Sequence, residues 1–193
     1  MRIENVNSGS PNPYCVLGVV DNDSGRAIER EMREWLEPNY NLIEVLHDGS
    51  LFEQPALRFM QDWCVTYKVP CLYLHTKGAF NRPELSASVR DMWKHEFTVN
   101  RDLYFGIVNR PYAVVACPTT GRDKTTWHNG FVANWQAMAE HPLIEPNTNR
   151  MKFERLFVGS NTQVVGVMRN DMHRDLGNVD ARTQEIWQKI KDQ

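Results

Sequence analysis

The chain has 193 residues, of which 41% are hydrophobic and 24% charged, with 22 basic and 24 acidic side chains. This length and apolar content fit a folded domain with a sizeable core, and they exclude wholesale disorder. A formal net charge of −2 gives no general attraction for polyanions, so nucleic-acid binding would need a local basic patch.

The sequence predicts a soluble protein of the cytoplasm. No apolar run approaches the roughly 20 residues that span a bilayer, and the amino terminus lacks a signal-peptide core. The 4 cysteines have no Cys-x-x-Cys spacing. We therefore predict that they are small core residues rather than zinc ligands or disulfide partners.

Strands and helices alternate through the first half of the chain. Three apolar runs predict strands: Tyr14–Val20, Asn41–His47 and Cys71–Leu74. Apolar residues at helical spacing follow each run and predict three helices: the first has Asp23 or Ser24 as its N-cap, the second has Pro55 near its first turn, and the third opens at Pro83. This alternation is typical of a mostly parallel α/β sheet with helices on both faces, whose Rossmann-type half binds nucleotides at the carboxyl ends of the strands.

The second half of the chain is less regular. Four segments are predicted in chain order: a strand at Pro111–Pro118, an apolar return to the core at Gly130–Trp135, a short helix at Met151–Phe157 and a strand at Gln163–Met168. A terminal helix is predicted from near Asn178. Residues 1–13 have the composition of a flexible lead-in, so we predict one α/β domain over residues 14–193.

The loop after the first strand begins with Asp21 and carries a second acid at Asp23. Two carboxylates at this spacing suit a divalent cation, and the same residues also suit the cap and first turn of a helix. The loop has neither a Gly-x-Gly-x-x-Gly pattern nor a phosphate-loop lysine. We expect Asp21 to touch a nucleotide bound across the strand ends.

Four polar or small residues follow the third strand directly: His75, Thr76, Lys77 and Gly78. A lysine beside a glycine, next to hydroxyl and imidazole groups, suits an anion such as a diphosphate. The other interpretation is a turn with a solvated lysine. The position favours binding, because α/β proteins hold ligands where buried strands end.

A third candidate segment runs from Trp127 to Trp135. His128, Asn129 and Asn134 offer a base, a donor and an acceptor, and the two tryptophans have flat faces that stack on sugars or bases. The alternative is a core strand flanked by ordinary tryptophans.

One further acid is a candidate site residue, and several common catalytic and metal-binding motifs are missing from the sequence. Glu154 is a candidate acid or base on the predicted short helix, or a salt-bridge partner of Arg150 or Arg155. The 6 histidines form no His-x-x-x-His pair, and there is no Gly-x-Ser-x-Gly elbow. We therefore predict no metal site from protein ligands, and neither hydrolase nor protease activity.

Taken together, three segments resemble a group of small glycosyltransferase-like proteins from bacteria and viruses: Leu72–Gly78, Val89–Phe97 and Asn129–Asn134. Members carry a strand that ends in Tyr-x-His-Ser/Thr-Lys-Gly, then a helix with a tryptophan and a Glu-Phe pair. A Ser-Gly-Asn-Phe-Trp-Trp-Ala segment and an acid on a short helix follow. The resemblance covers residues 14–158, and this chain has Asn129-Gly130 and Val132-Ala133 where the pattern has Gly-Asn and two tryptophans.

The resemblance implies a single-domain GT-A-like fold that transfers a sugar from a nucleotide-sugar donor to a saccharide or to a modified DNA base. It implies three sets of residues: Asp21, His75, Thr76, Lys77 and Gly78 for the donor, Trp93, Trp127, Asn129 and Asn134 for substrate, and His128 or Glu154 as the base. Lys77 and His75 would neutralise the leaving diphosphate, and a manganese or magnesium ion is the alternative. A nucleotide- or nucleic-acid-binding module without catalysis is the second hypothesis, suggested by the altered Asn129 segment and by the loop that carries Arg122 and Lys124.

Overall fold

The architecture is a mixed sheet covered by helices, seen in a computed structural model that describes residues 2–4, 11–51, 53–76, 83–120, 124–142, 144–145 and 151–168. These residues form seven strands: β1 (Arg2–Glu4), β2 (Tyr14–Val20), β3 (Asn41–His47), β4 (Cys71–His75), β5 (Val114–Cys117), β6 (Phe131–Ala133) and β7 (Gln163–Gly166). They also form six α-helices: α1 (Asp23–Leu36), α2 (Gln54–Tyr67), α3 (Pro83–Thr98), α4 (Arg101–Val108), α5 (Trp135–Ala139) and α6 (Met151–Glu154). A 3₁₀ turn, Trp127–Asn129, precedes β6.

The strands lie in the order β1-β3-β2-β4-β6-β5-β7. Strand β2 is parallel to both of its neighbours, β3 and β4, and β7 is parallel to β5. Strand β6 runs against β4 and β5, and β1 runs against β3 at one edge. The predicted α/β architecture is therefore confirmed, with a sheet that is partly parallel.

The reversed direction of β6 follows from the connection that leads into it. Parallel neighbours need a crossover, usually a helix, whereas antiparallel neighbours need only a return loop. Between β5 and β6 the described residues hold a 3₁₀ turn and no α-helix, so the chain returns alongside β5 in the opposite direction. The sequence predicted this segment as core without predicting its direction.

Two hydrophobic cores lie on the two faces of the sheet. Successive side chains of β2 alternate between them: Leu17 and Val19 pack with α1, α3 and α4, while Val16 packs with α2, α5 and α6. Burial on both faces explains why the central strands read as continuous apolar runs. All four cysteines are free and buried, as the sequence predicts.

Three local features differ from the sequence prediction. The N-cap of α1 is Asn22, whose Oδ1 accepts a hydrogen bond from the Gly25 N–H at 2.7 Å, rather than Asp23 or Ser24. Strand β1 lies within the lead-in, where three residues are too few to show a period. Helix α4 was not predicted, because only Val99 and Asn100 separate it from the end of α3. The predicted terminal helix from Asn178 lies outside the described residues.

Candidate functional site

The candidate site lies at the end of the sheet where the parallel strands have their carboxyl ends, and we call this end the site edge. Strands β2, β3, β4, β5 and β7 run in the same direction, so their carboxyl ends meet at this edge, and the 3₁₀ turn enters β6 from the same side. The residues that follow β2, β4 and β5, and those that precede β6, are thereby brought to one end of the sheet. This is where ligands bind in open α/β sheets.

A cleft of about 670 Å³ opens at the ends of β2 and β3. Its lining includes two arginines, three aspartates and one phenyl ring: Arg2, Arg58, Asp21, Asp48, Asp62 and Phe59. The volume is within the usual range of small-molecule sites. Asp21 lines this cleft, and its carboxylate also pairs with Arg26 at 3.0 Å.

Hydrogen bonds from the residues that follow hold the side chains of His47 and Asp48 in the cleft. The Gly49 N–H donates to His47 Nδ1 at 3.1 Å, which places the ring proton of the neutral imidazole on Nε2. Burial lowers the pKa of His47, against the opposing effect of the Asp48 charge. Hydrogen bonds from the Ser50 hydroxyl and N–H, at 2.6 and 2.8 Å, lower the pKa of Asp48. The cleft therefore offers a neutral imidazole beside a carboxylate at neutral pH.

At the end of β4, Thr76 joins two strands. Its N–H donates to the Gly18 carbonyl at 2.9 Å, and its Oγ1 accepts from the Val20 N–H at 3.1 Å. The hydroxyl oxygen thus serves the backbone of β2, and its proton remains as the group that can reach a ligand. Lys77 and Gly78, the other half of the predicted anion site, lie outside the described residues.

Sequence reasoning missed Glu53, which lies beside His75. The two residues are buried, and Glu53 Oε1 is 3.6 Å from His75 Nε2. Glu53 occupies the N-cap position of α2 but makes no side-chain cap hydrogen bond there. A glutamate in that position, ahead of Pro55 and after a strand, is the signal that could have drawn attention to it. The carboxylate thus lies beside an imidazole that also packs edge-on against Trp93, with ring centroids 5.4 Å apart.

The 3₁₀ turn carries unusual backbone geometry. His128 and Asn129 both adopt left-handed conformations, with φ of 66° and 52°. Such residues cost of order 1–3 kcal/mol each and are found preferentially at functional sites, although asparagine and histidine tolerate the region better than most residues. Both side chains are buried, Asn129 with 1% exposure. The surrounding structure thus holds two of the predicted site residues in this conformation at the entrance to β6.

Two buried hydrogen-bond donors at this edge have no acceptor among the described residues: Trp93 Nε1 and Asn129 Nδ2. They are close to each other in the fold, because a Cβ on Gly130, the residue after Asn129, would lie 2.6 Å from Trp93 Cε2. An unsatisfied buried donor costs about 1–3 kcal/mol. Each of these donors would be stabilised by an acceptor oxygen, which would have to reach an interior position, because Trp93 is 0% and Asn129 1% exposed.

Asn134 has a structural part in this conformation. Its Oδ1 accepts from the N–H groups of Val114 and Ala137, at 3.1 and 3.0 Å, and its Nδ2 donates to the Tyr112 carbonyl at 2.7 Å. Its amide thereby caps α5 and holds the start of β5, so we do not include it in the proposed site. The side chains of Trp127 and Glu154 lie outside the described part of the chain.

Wider comparisons add no identification. The chain matches no family model, no curated protein and no solved structure. Among the described residues, no three histidine, cysteine, aspartate or glutamate side chains are grouped as a metal site. In the same part of the chain, no helix is both long enough and apolar enough to cross a bilayer.

Proposed function

We propose that the protein is a GT-A-like glycosyltransferase, which moves a sugar from a nucleotide-sugar donor to an acceptor hydroxyl. The observation that carries the proposal is the pair of buried donors, Trp93 Nε1 and Asn129 Nδ2, at the same sheet edge as the cleft. A sugar supplies many acceptor oxygens, which is what two buried N–H donors require. The cleft supplies the separate volume that a nucleoside needs.

The donor would bind across the ends of β2, β3 and β4. The carboxylates of Asp21 and Asp48 would accept hydrogen bonds from ribose hydroxyls, a role that acids at strand ends perform in other nucleotide sites. His75, Thr76, Lys77 and Gly78 would hold the diphosphate. Glu53 supports this arrangement because its carboxylate, 3.6 Å from His75 Nε2, would stabilise a protonated imidazole from within the protein.

The reaction forms one bond and breaks another. The acceptor hydroxyl oxygen attacks the anomeric carbon, and the bond from that carbon to the phosphate oxygen breaks. The electron pair of the broken bond leaves with the nucleoside diphosphate, and the hydroxyl proton passes to His128 or Glu154. Lys77 and His75 would offset the charge on the leaving group, the main electrostatic demand of the step, with manganese or magnesium as the alternative.

A nucleotide-binding module without transfer activity is the second candidate. One observation favours it: both polar atoms of Asn134 serve the fold, so the Asn129–Asn134 segment offers fewer groups to an acceptor than its sequence suggests. The acceptor pocket of a transferase would then be incomplete. Nucleotide binding without product formation distinguishes this module from the enzyme.

A thermal-shift panel of nucleoside diphosphates and nucleotide-sugars, each with and without manganese, tests the proposal. A ligand at 100 times its Kd adds about 2.7 kcal/mol, which raises Tm by roughly 5–11 °C in a domain of this size. We expect a selective shift for one nucleoside. A flat panel would refute both the transferase and the module.

Variants at the site then separate the enzyme from the module. Asn129→Ala should weaken binding of the nucleotide-sugar more than that of the bare diphosphate, because its amide is assigned to the sugar. Asn109→Ala, an exposed asparagine elsewhere, is the matched control. Lys77→Ala should abolish transfer while leaving the circular-dichroism spectrum unchanged. Wild-type protein that binds a donor but turns over none of the panel would support the module instead.

A further inference from the structure

One flank of α4 leaves apolar side chains partly open to solvent. The helix packs into the core through Tyr104, and on one side Phe105 packs against Tyr40 with ring centroids 6.2 Å apart. Leu103 lies on the opposite flank and is 52% exposed, and Ile107, one turn further along, is half-buried. The apolar stripe of α4 is therefore wider than the part that the core covers.

This open flank of α4 faces the edge strand β7. Tyr40 directly precedes β3, so the flank that carries Phe105 faces β3. The opposite flank faces the other end of the strand order, where β7 lies beside β5. Val165 and Val167 pack against the same core as α4 and remain half-buried. Together the flank and the strand form what we call the apolar corner: Leu103, Ile107, Val165 and Val167.

The opposite face of β7 is already covered. Val164 packs against the other core, which includes Phe153 and Phe157 from the segment that leads into β7. A Cβ on Gly166 would lie 2.8 Å from the side chain of Thr120, so this position has no free space. A further element that packs on β7 is therefore expected on the side of α4.

The chain itself supplies an apolar element directly after β7. Residues 178–193 are predicted to form a helix with four apolar residues on one side: Val179, Ile186, Trp187 and Ile190. As a helix this segment would be about 24 Å long, close to the roughly 20 Å of residues 163–168 in an extended strand. An amphipathic helix of this length is stable in water only when its apolar stripe is buried.

The path of the chain brings this segment to the apolar corner. The last described residue, Met168, is 6% exposed and packs in the core on the same face of the sheet as α4. Residues 169–177 can span up to about 30 Å, enough to turn the chain back at the site edge and along β7. This short connection gives the segment an effective concentration on the order of millimolar at the corner, which favours it over a second copy of the protein.

We propose that residues 178–193 dock as a helix on the apolar corner, with Val179, Ile186, Trp187 and Ile190 against it. The docked helix would extend the layer formed by α1, α3 and α4 to the β7 edge of the sheet. Consecutive elements of a chain usually pack side by side in this way. The docking does not depend on the proposed transferase function.

Photo-crosslinking within the full chain tests this docking. One variant carries p-benzoylphenylalanine in place of Leu103. The matched control carries it in place of Val65, which is also an exposed apolar residue, at 38%, but lies on α2 at the other face of the sheet. After irradiation, mass spectrometry of the monomeric product should find residues 178–193 joined to the probe at position 103 and not to the probe at position 65.

A second pair of variants tests which side of the segment is buried. Ile186→Asp should reduce the crosslink from position 103 by about tenfold or more, because an unpaired charge does not stay buried. Gln188→Asp, on the polar side of the same predicted helix, should leave the yield unchanged. In the same Ile186→Asp variant, hydrogen exchange of residues 163–168 should become faster.

Four results would overturn the proposal: no crosslink to residues 178–193, equal yields from positions 103 and 65, equal losses for the Ile186 and Gln188 variants, or a crosslink found only in a dimeric product. The last result would make the apolar corner an interface between two copies. Since the probes lie far from the nucleotide cleft along the sheet, nucleotide binding by the same samples reports separately on the proposed transferase.

Discussion

Alanine at Gly130 would bring a methyl group into the indole of Trp93 at the centre of the candidate site. The backbone of Gly130, with φ of −106°, is one that any residue adopts, so only the lack of space opposes the substitution. The new Cβ would lie 2.6 Å from Trp93 Cε2 and 3.0 Å from Cζ2, and closer still to Nε1. The indole has 0% exposure and packs against His75, so it cannot move into solvent.

Overpacking of this kind costs about 1–3 kcal/mol. For a domain of this size we expect Gly130→Ala to lower Tm by roughly 2–12 °C, since each kcal/mol corresponds to about 2–4 °C. The assay is urea unfolding followed by tryptophan fluorescence and by far-ultraviolet circular dichroism. Near-ultraviolet circular dichroism of the folded variant reports whether Trp93 has moved.

Gly106→Ala is the matched control, because a Cβ there meets nothing within 4 Å and the residue lies inside α4. Removing a glycine from a helix interior should raise stability by about 0.5–1 kcal/mol. Opposite signs for the two variants are the expected result. If Gly130→Ala were as stable as wild type with an unchanged tryptophan spectrum, the close approach of Trp93 to the 3₁₀ turn would be refuted.

Three further predictions concern stability. Asn22→Ala removes the cap of α1 and should lower the free energy of unfolding by about 1 kcal/mol in urea unfolding. An unchanged urea midpoint would show that this cap does not stabilise the helix. Burial lowers the folded pKa of His47, so wild type should lose stability as pH falls through about 6.5, and His47→Gln should lose less between pH 7.5 and 5.5. Burial, followed by the charge of Glu44, raises the folded pKa of Glu29, so its favourable contribution is lost as pH rises through that pKa. Glu29→Gln should therefore gain stability relative to wild type between pH 4 and 7, and a constant difference would contradict the shift.

Local sequence patterns predicted the elements that have a strong hydrophobic pattern or that are bounded by turn residues or proline. Strands β2 and β3 have the bounds that their apolar runs predict, because each run stops at residues that favour turns. Helix α3 begins at Pro83 as predicted, since proline suits a first turn and nothing later. Arg2–Glu4 escaped prediction because β1 exists only through its pairing with β3.

For the candidate site, the sequence determined which kinds of residue lie at the strand ends: Asp21 after β2, His75 and Thr76 at the end of β4, and the Asn129 turn before β6. Tertiary contacts decide which of their polar atoms form hydrogen bonds within the fold. Thr76 bonds to Val20, and Asn134 to Val114, residues far away in sequence.

The tertiary structure also decided the pairings that no local pattern contains. Glu53 meets His75 only because α2 begins at the sheet edge where β4 ends. Trp93 meets Gly130 only because β6 lies beside β4, under α3. Periodicity reflects local backbone preferences and burial, whereas a site is made by residues distant along the chain that packing brings into contact.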